Sequence, residues 1–281
     1  MAQQREVKKW IRGQMTSDGA GVSLRRLIAS HEIDMLDPFL LFDAFGSDKP
    51  EDYIAGFPSH PHRGFETVTY MLAGKMRHED SAGNAGVIET GGVQWMTAGR
   101  GIIHSEKPEQ EAGLLAGFQL WVNLPAEQKM MAPRYQEKSA SEIAIETREA
   151  GLTVKVVAGE TVNGTKGVID NSFVEPVYFV IDAPAGSVFE DNIPATHNAF
   201  VYVAAGRVSI GDKPTSIGAS QLAVLKEGDA VKVLAEQDST FIVVAGKPIN
   251  EPVERAGPFV MNNRAELEQA FADYRSGQFV A

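Results

Sequence analysis

The residues best suited to chemistry form two pairs, each with one residue between its members. His60 and His62 are the first pair, and His104 and Glu106 are the second. Side chains two positions apart on a β-strand point to the same face. Each pair can therefore present both side chains to one cavity. If the two strands are neighbours, three imidazoles and one carboxylate converge on one point, and this donor set suits a divalent transition metal.

The donor set favours a single metal site but leaves the identity of the metal open. Four protein ligands fill a tetrahedral zinc ion, which implies a structural role, whereas they leave open places on an octahedral ion, which implies chemistry. One carboxylate against a dication leaves a net positive charge that attracts an anionic oxygen of a ligand. Iron, nickel, copper, manganese and zinc all accept these donors. A chance pair of histidines on an exposed strand is the alternative, and the second pair and the surrounding glycines make it less favoured.

Glu66 is a further candidate, because it lies six residues after His60 and strand alternation places it on the same face. It could be a fifth ligand, a hydrogen-bond acceptor for a ligand histidine, or a catalytic base. A salt bridge to Arg63 or Arg100 is an equally favoured alternative, because a buried carboxylate needs a partner.

Other residues near the pairs are assigned packing or surface roles, or a role as an apolar wall. Three histidines lack a partner at ligand spacing and are expected at the surface or in packing: His31, His78 and His197. The polar sequence around His78 predicts that it lies in a solvated turn. Three aromatic residues flank the pairs and could form a wall for an aromatic ligand, with core packing as the alternative: Phe57, Phe65 and Trp95.

The elements that position these residues are predicted to be mainly short β-strands, as in a sandwich or barrel. Three segments rich in β-branched residues are typical of strands: residues 67–72, 152–157 and 241–244. One helix is predicted near the C-terminus, with an apolar stripe from Leu267 to Tyr274, Asn263 as N-cap and Gly277 as its end. Residues 126–131 are a weaker helix candidate.

A weak internal repeat predicts two copies of one β unit. Residues 67–75 resemble residues 199–207, and both segments are apolar strands closed by Ala-Gly and a basic residue. We therefore predict an N-terminal metal-binding barrel at residues 1–137, a linker at 138–150, and a C-terminal barrel at 151–281. The second barrel is expected to bind no metal, because the offsets of the four ligands fall on these residues: Asn192, Pro194, Val233 and Ala235.

Composition excludes several classes of protein. The net charge of −11 disfavours direct binding to nucleic acid. The absence of cysteine excludes a disulfide framework and a thiolate metal site. The N-terminus lacks the apolar run of a signal peptide, and apolar segments are too short to span a membrane. We expect a soluble cytoplasmic protein without membrane partners.

Four stretches resemble the conserved motifs of pirins. The first motif is matched by residues 56–70, GFPSHPHRGFETVTY, and the second by residues 94–106, QWMTAGRGIIHSE. Residues 37–43, DPFLLFD, and 120–125, LWVNLP, also fit the family. Beyond residue 150 only the general layout is similar.

The resemblance to pirins implies an all-β bicupin fold, with two tandem jelly-roll-like barrels, and an iron-type metal held by His60, His62, His104 and Glu106. In the wider cupin superfamily the acidic ligand stands where Glu66 lies here, whereas pirins use the position of Glu106. The family also implies two functions. One is a quercetin 2,3-dioxygenase activity, with a flavonol and O₂ as substrates, and it is the function we expect. The other is an iron-binding, redox-responsive co-regulator that acts through protein partners.

Overall fold

The computed structural model describes residues 3–280, and β-strands dominate it. The chain forms two compact units, and each unit combines two stretches of sequence. One unit contains Gln14–Ala140 and the stretch from Ile249 onwards, and the other contains Ser141–Pro248 and the stretch up to Gly13. The sequence-based bounds 1–137, 138–150 and 151–281 differ from this division at both termini, and as limits of independently folding domains they stay a prediction.

The unit with the histidine pairs has eleven strands in its two larger sheets. The first strand of the chain, β1 (Val7–Ile11), belongs to the other unit. In chain order, the eleven strands of this unit are β2 (Gln14–Asp18), β3 (Val22–Ile28), β4 (Phe39–Ser47), β5 (Phe57–His62), β6 (Phe65–Ala73), β7 (Lys75–Asp80), β8 (Ala85–Glu89), β9 (Val93–Thr97), β10 (Ile102–Pro108), β11 (Leu115–Asn123) and β12 (Arg134–Lys138). The strand order is β12-β9-β6-β11-β4-β3-β2 in one sheet and β5-β10-β7-β8 in the other.

The other unit repeats this topology. Its strands are β1 with β13 (Ala144–Thr147), β14 (Thr153–Ala158), β15 (Val177–Ala183), β16 (Val188–Asn192), β17 (Asn198–Ala205), β18 (Arg207–Ile210), β19 (Thr215–Gly218), β20 (Gln221–Leu225), β21 (Ala230–Ala235) and β22 (Ser239–Gly246). They run in the orders β1-β20-β17-β22-β15-β14-β13 and β16-β21-β18-β19. All pairings between these strands are antiparallel.

The internal repeat predicted from the sequence is therefore confirmed in the fold. Strands β6 and β7 correspond to β17 and β18, and the glycine between each pair, Gly74 or Gly206, has a φ of +84°. Only glycine adopts this left-handed conformation without steric cost, so the shared Ala-Gly motif marks the same tight connection twice. The predicted all-β fold with two barrels is also confirmed.

The interiors of the two barrels differ. In the C-terminal barrel, inward positions of β16 and β21 are filled by Phe189, Val231 and Val233, which belong to one continuous apolar core. In the N-terminal barrel the apolar cluster around Phe45, Met71 and Met76 is smaller. The rest of that interior includes a cavity with mainly apolar walls, onto which His60, His62 and Glu106 face.

The single α-helix, α1 (Arg264–Ser276), begins and ends where the sequence predicts. The side chain of Asn263 accepts a hydrogen bond from the amide of Glu266, and Gly277 is left-handed, with a φ of +75°. The helix packs on the hairpin β23 (Glu254–Ala256) and β24 (Phe259–Met261) through an apolar cluster that includes Leu267 and Phe279. The weaker helix candidate is a 3₁₀ turn, Ala126–Gln128; two more 3₁₀ turns are Pro50–Asp52 and Glu149–Gly151.

Among residues 3–280, no helix combines the length and the apolar character that crossing a membrane requires.

Candidate metal centre

The two histidine-containing pairs lie on neighbouring antiparallel strands. In the pairing of β5 with β10, His104 is opposite His60 and Ile102 is opposite His62. Because strand alternation turns the residues of each pair to one side, His60, His62 and His104 face one another across the two strands. The convergence predicted from the spacing is therefore present for these three side chains.

The three imidazoles form a compact group. Their ring centroids are 4.3 to 4.9 Å apart, and one nitrogen from each ring lies within 4.8 Å of the others. The Nε2 atoms of His60 and His62 are 3.0 Å apart. These three residues are a group that can hold a divalent metal ion.

Two nitrogens have the chemistry that a metal ligand needs. The Nδ1 of His60 donates a hydrogen bond to the Pro58 carbonyl at 2.8 Å, which leaves its Nε2 with a lone pair. The Nε2 of His104 is buried and has no hydrogen-bond partner among the described residues. A buried polar atom without a partner is costly, and a metal ion would satisfy it.

Burial keeps the inner two imidazoles neutral. Burial lowers the pKa of His62 well below its ordinary value, and the neighbouring His60 lowers it further, while the Pro258 carbonyl opposes the change. Burial likewise lowers the pKa of His104, with smaller contributions from His62, His60 and His78. Metal ligation requires neutral imidazole, so the protein prepares these rings for ligation at neutral pH.

Glu106 lies in the same cavity but outside the compact group of three nitrogens. The register of β10 on β5 shifts between His104 and Glu106. The Glu106 carboxylate accepts hydrogen bonds from the Thr69 hydroxyl at 3.1 Å and from the Gln119 amide at 3.4 Å. Within residues 3–280 no basic side chain forms an ion pair with this carboxylate, which is 3% exposed. Buried carboxylates are normally paired or bound to a metal, so Glu106 fits a nearby cation.

Glu66 is not among the residues that line this cavity. It is buried on β6, where its carboxylate accepts a hydrogen bond from the Thr97 hydroxyl at 2.7 Å. Thr69, three positions further along the same strand, lines the cavity, so alternation places Glu66 on the opposite face. Glu66 lies six positions after His60, but Arg63 and Gly64 interrupt the strand, so alternation does not extend from one to the other. A role for Glu66 as a base stays a prediction that this geometry does not favour.

A cavity of about 760 Å³ opens onto the histidines. Its walls are mainly apolar and include Phe57, Leu41 and Trp121, with Thr69, Gln119 and Glu106 near the metal-binding group. Trp121 and Phe65 pack edge-on against the His62 ring at 5.2 and 5.0 Å. Of the aromatic residues proposed as a wall, Phe57 lines the cavity, Phe65 supports His62, and Trp95 does neither.

One ion-pair network lies on the wall of the same cavity. The Nε and Nη2 of Arg26 donate to the two oxygens of Asp43 at 3.0 and 2.7 Å, and Nη2 also donates to Asp18 at 2.7 Å. The guanidinium is about one-fifth exposed, whereas Asp43 is buried. This network places three charged side chains on a mainly apolar wall, which Glu106 and Arg255 also line.

The prediction that His78 lies in a solvated turn is wrong. His78 is completely buried on β7, the other neighbour of β10. Its Nδ1 is 3.4 Å from the Nδ1 of His104, and its Nε2 is 3.2 Å from Asp80. The polar neighbours of His78 in the sequence suggested exposure, but His78 and Asp80 have the same one-residue spacing as the other pairs. That spacing is the pattern that could have identified them.

We predict that acidification destabilises the metal-free protein. Burial depresses the folded-state pKa of His62 and His104 below the ordinary histidine value of about 6.5, so below about pH 6.5 the unfolded chain takes up protons that the folded chain excludes. The free energy of unfolding is therefore unaffected by these two histidines above that pH, and it decreases as the pH falls below it. Each residue can contribute up to about 1 kcal/mol per pH unit. Thermal unfolding of apo-protein between about pH 7.5 and 5.5 measures the effect.

The matched control for this pH effect is the His62→Gln, His104→Gln variant. Its melting temperature should fall less steeply with acidification than that of the wild-type protein. An equally steep fall in both proteins would contradict the assignment to these two residues.

Two β-barrels of matching topology, with three converging histidines in the N-terminal one, define a bicupin with a candidate metal centre. The chain belongs to the pirin family. The family model described as Pirin matches residues 21–122, and the one described as Pirin C-terminal cupin domain matches residues 178–280.

Relatives cover the whole chain. A pirin-like protein of Caulobacter vibrioides is 50% identical, over 98% of this chain and 99% of its own. Mouse pirin is 43% identical, over 99% of this chain and 95% of its own. The crystal structure of a quercetin 2,3-dioxygenase from Acinetobacter baumannii is 35% identical and aligns with a TM-score of 0.90, covering 99% of this chain and all of the other.

Proposed function

We propose that this protein is a metal-dependent dioxygenase that oxidises a flavonol-like phenol with O₂, with quercetin as the model substrate. The metal is held by His60, His62, His104 and Glu106. Iron is the metal we expect, although nickel, copper, manganese or zinc suits the same donors. A dioxygenase places both atoms of O₂ in the oxidised product, so the reaction needs no external reductant.

The observation that carries this proposal is the cavity that reaches the candidate ligands. Its volume of about 760 Å³ falls in the usual range for small-molecule sites, and its mainly apolar wall suits a flat aromatic compound. His60, His62 and Glu106 all line it. The resemblance over the full length to a structure named as a quercetin 2,3-dioxygenase supports the same substrate class.

Each part of the cavity has a distinct task in this proposal. A divalent metal held by these residues would lower the pKa of a phenolic hydroxyl group and so activate it toward O₂. Thr69 and Gln119 hold the Glu106 carboxylate through hydrogen bonds to both of its oxygens. Phe57, Leu41 and Trp121 supply apolar surface that excludes water from the bound ring. The two ring-stabilising contacts of His62, from Phe65 and Trp121, fix the plane of that imidazole.

The rival function is a redox-responsive co-regulator whose metal state tunes a protein surface. Such a protein needs an exposed patch beside the metal and no cavity, whereas an enzyme needs a cavity that leads to the metal. The cavity therefore supports the enzyme. A protein partner stays a prediction.

Oxygen consumption tests the proposal. Protein purified without oxygen and loaded with Fe²⁺ is mixed with quercetin, and the loss of O₂ and the loss of quercetin absorbance are followed together. We expect equimolar consumption by the wild-type protein and a loss of at least about 100-fold in the His104→Ala variant, because one ligand of the centre is removed. Equal rates in the two samples, or none in either, would contradict the proposal.

A further inference from the structure

We propose that His78 and Asp80 are positioning residues that fix the proton of His104 on Nδ1 and so direct its Nε2 lone pair at the metal. This inference rests on the proposed metal site. His78 and Asp80 lie on β7, which pairs with the opposite edge of β10 from β5. In that register Asp80 is opposite His104 and His78 is opposite Glu106.

The three side chains form a buried chain of contacts. The Nδ1 of His104 is 3.4 Å from the Nδ1 of His78, and the Nε2 of His78 is 3.2 Å from Asp80 Oδ2. The side chains of His78 and Asp80 are both completely buried. Because neither side chain is exposed, each needs hydrogen-bond partners within the protein.

The direction of every hydrogen bond follows from the Asp80 carboxylate, which accepts and does not donate. Its Oδ1 accepts from the amides of Ala82 and Asn84 at 2.9 and 3.0 Å, and its Oδ2 accepts from the Asn84 side chain at 2.9 Å. The Nε2 of His78 must therefore carry a proton, which it donates to Asp80. In a neutral imidazole the other nitrogen then has the lone pair.

The position of the proton on His104 follows from its position on His78. Since the Nδ1 of His78 accepts, the contact at 3.4 Å is favourable only if the Nδ1 of His104 donates. The proton of His104 is then on Nδ1, and the lone pair is on Nε2. This Nε2 is the buried nitrogen without a hydrogen-bond partner among the described residues, and it belongs to the group of three that can hold a metal.

The plane of the His78 ring is also fixed. The Tyr135 ring stacks on it at 5.0 Å and 29°. Tyr135 donates from its hydroxyl to Glu137 at 2.5 Å and accepts from the Gln94 amide at 3.1 Å. The His78 ring, which accepts the hydrogen bond from His104, is therefore held on two sides. Tyr135 stacks on its face, and Asp80 accepts a hydrogen bond from its Nε2.

A main-chain group performs the same task for His60, whose Nδ1 donates to the Pro58 carbonyl. At His104 the acceptor is a side chain, so it can be replaced without altering the ligand itself. Partners of this kind typically contribute 10–100-fold to metal affinity, because they orient the ligand and raise its basicity.

The experiment measures tautomer and metal affinity separately, in the full-length protein. The variants are His78→Phe, which keeps a ring against Tyr135 but removes the acceptor, and Asp80→Asn. The control is His31→Phe, a histidine at an exposed position. Long-range ¹H–¹⁵N spectra of ¹⁵N-histidine-labelled, metal-free protein report which nitrogen of His104 carries the proton. Titration with Ni²⁺ alone reports affinity.

We expect wild-type protein and the His31→Phe variant to hold His104 as the Nδ1–H tautomer. In His78→Phe and Asp80→Asn the Nε2–H tautomer should gain population, and Ni²⁺ affinity should fall by about 10–100-fold. Unchanged tautomer in both variants would overturn the proposal, even if affinity falls, because the loss would then be merely structural. If one variant fails to fold, the other decides. Failure of wild-type protein to bind Ni²⁺ would refute the metal site, while the tautomer spectra still decide the positioning role.

Discussion

Replacing His62 and His104 together with alanine should abolish tight metal binding. The double variant keeps only His60 and Glu106 of the four proposed ligands. His60 is the partly exposed member of the centre, and Glu106 lies outside the compact group of three nitrogens. We expect metal content to fall from one ion per chain to none after desalting, which corresponds to at least about 1,000-fold weaker binding. Elemental analysis of protein loaded under anaerobic conditions measures this directly.

The matched control for this double variant is His197→Ala in the C-terminal barrel. His197 is a buried histidine without a histidine neighbour in the group of potential ligands, so its removal should leave metal content at one ion per chain. Full occupancy of the double variant would contradict the assigned ligands. Two tightly bound ions per wild-type chain would contradict the prediction that the C-terminal barrel binds no metal.

Replacing Gly64 with alanine should destabilise the protein by roughly 3–5 kcal/mol. Gly64 follows the first histidine pair and has a φ of +89°, in the left-handed region. A Cβ at this position would lie 1.9 Å from the carbonyl oxygen of Val260, which is backbone and cannot rotate away. The Val260 and Gly64 carbonyls both accept hydrogen bonds from the buried Lys129 ammonium, so a shift there also disturbs a charged group. Urea unfolding measures the loss.

Gly83→Ala is the control for this effect, because Gly83 has the same φ of +89°. A Cβ there would meet nothing within 4 Å. Its cost should be only the backbone strain, about 1–2 kcal/mol. The difference between the two variants isolates the clash with Val260. Equal free energies of unfolding in both would show that Gly64 has no special steric role.

The parts of this protein that the sequence could predict are those that depend on local periodicity. Strand alternation placed His60 and His62 on one face, and β5 and β10 are neighbours as that prediction required. The Ala-Gly motif at Gly74 and Gly206 identified the repeat, because the same left-handed turn needs glycine in both barrels. The helix followed from its apolar stripe and from the caps at Asn263 and Gly277.

The parts that the sequence could not predict depend on how strands pair. Alternation cannot be extended across the break at Arg63 and Gly64, so the face of Glu66 was not readable from His60. The burial of His78 depends on β7 lying beside β10, and this pairing has no local pattern. The association of β1 with the C-terminal barrel, through its pairing with β20, likewise involves residues more than 200 positions apart.

The two barrels share a topology but differ in the side chains that fill their interiors. In the C-terminal barrel, Val231 and Val233 on β21 fill the interior and belong to one apolar core. In the N-terminal barrel, the corresponding strand β10 carries His104 and Glu106 instead. The same topology therefore accommodates either apolar or polar side chains at the inward positions of this strand.

Anomalous X-ray scattering from crystals of iron- or nickel-loaded protein tests whether the four proposed ligands hold the metal. Data collected on both sides of the metal absorption edge locate the ion without reference to activity. We predict a single strong peak per chain, bonded to the Nε2 atoms of His60, His62 and His104 and to the Glu106 carboxylate. A peak at other residues, or no peak in crystals of protein that retains its metal in solution, would contradict this account.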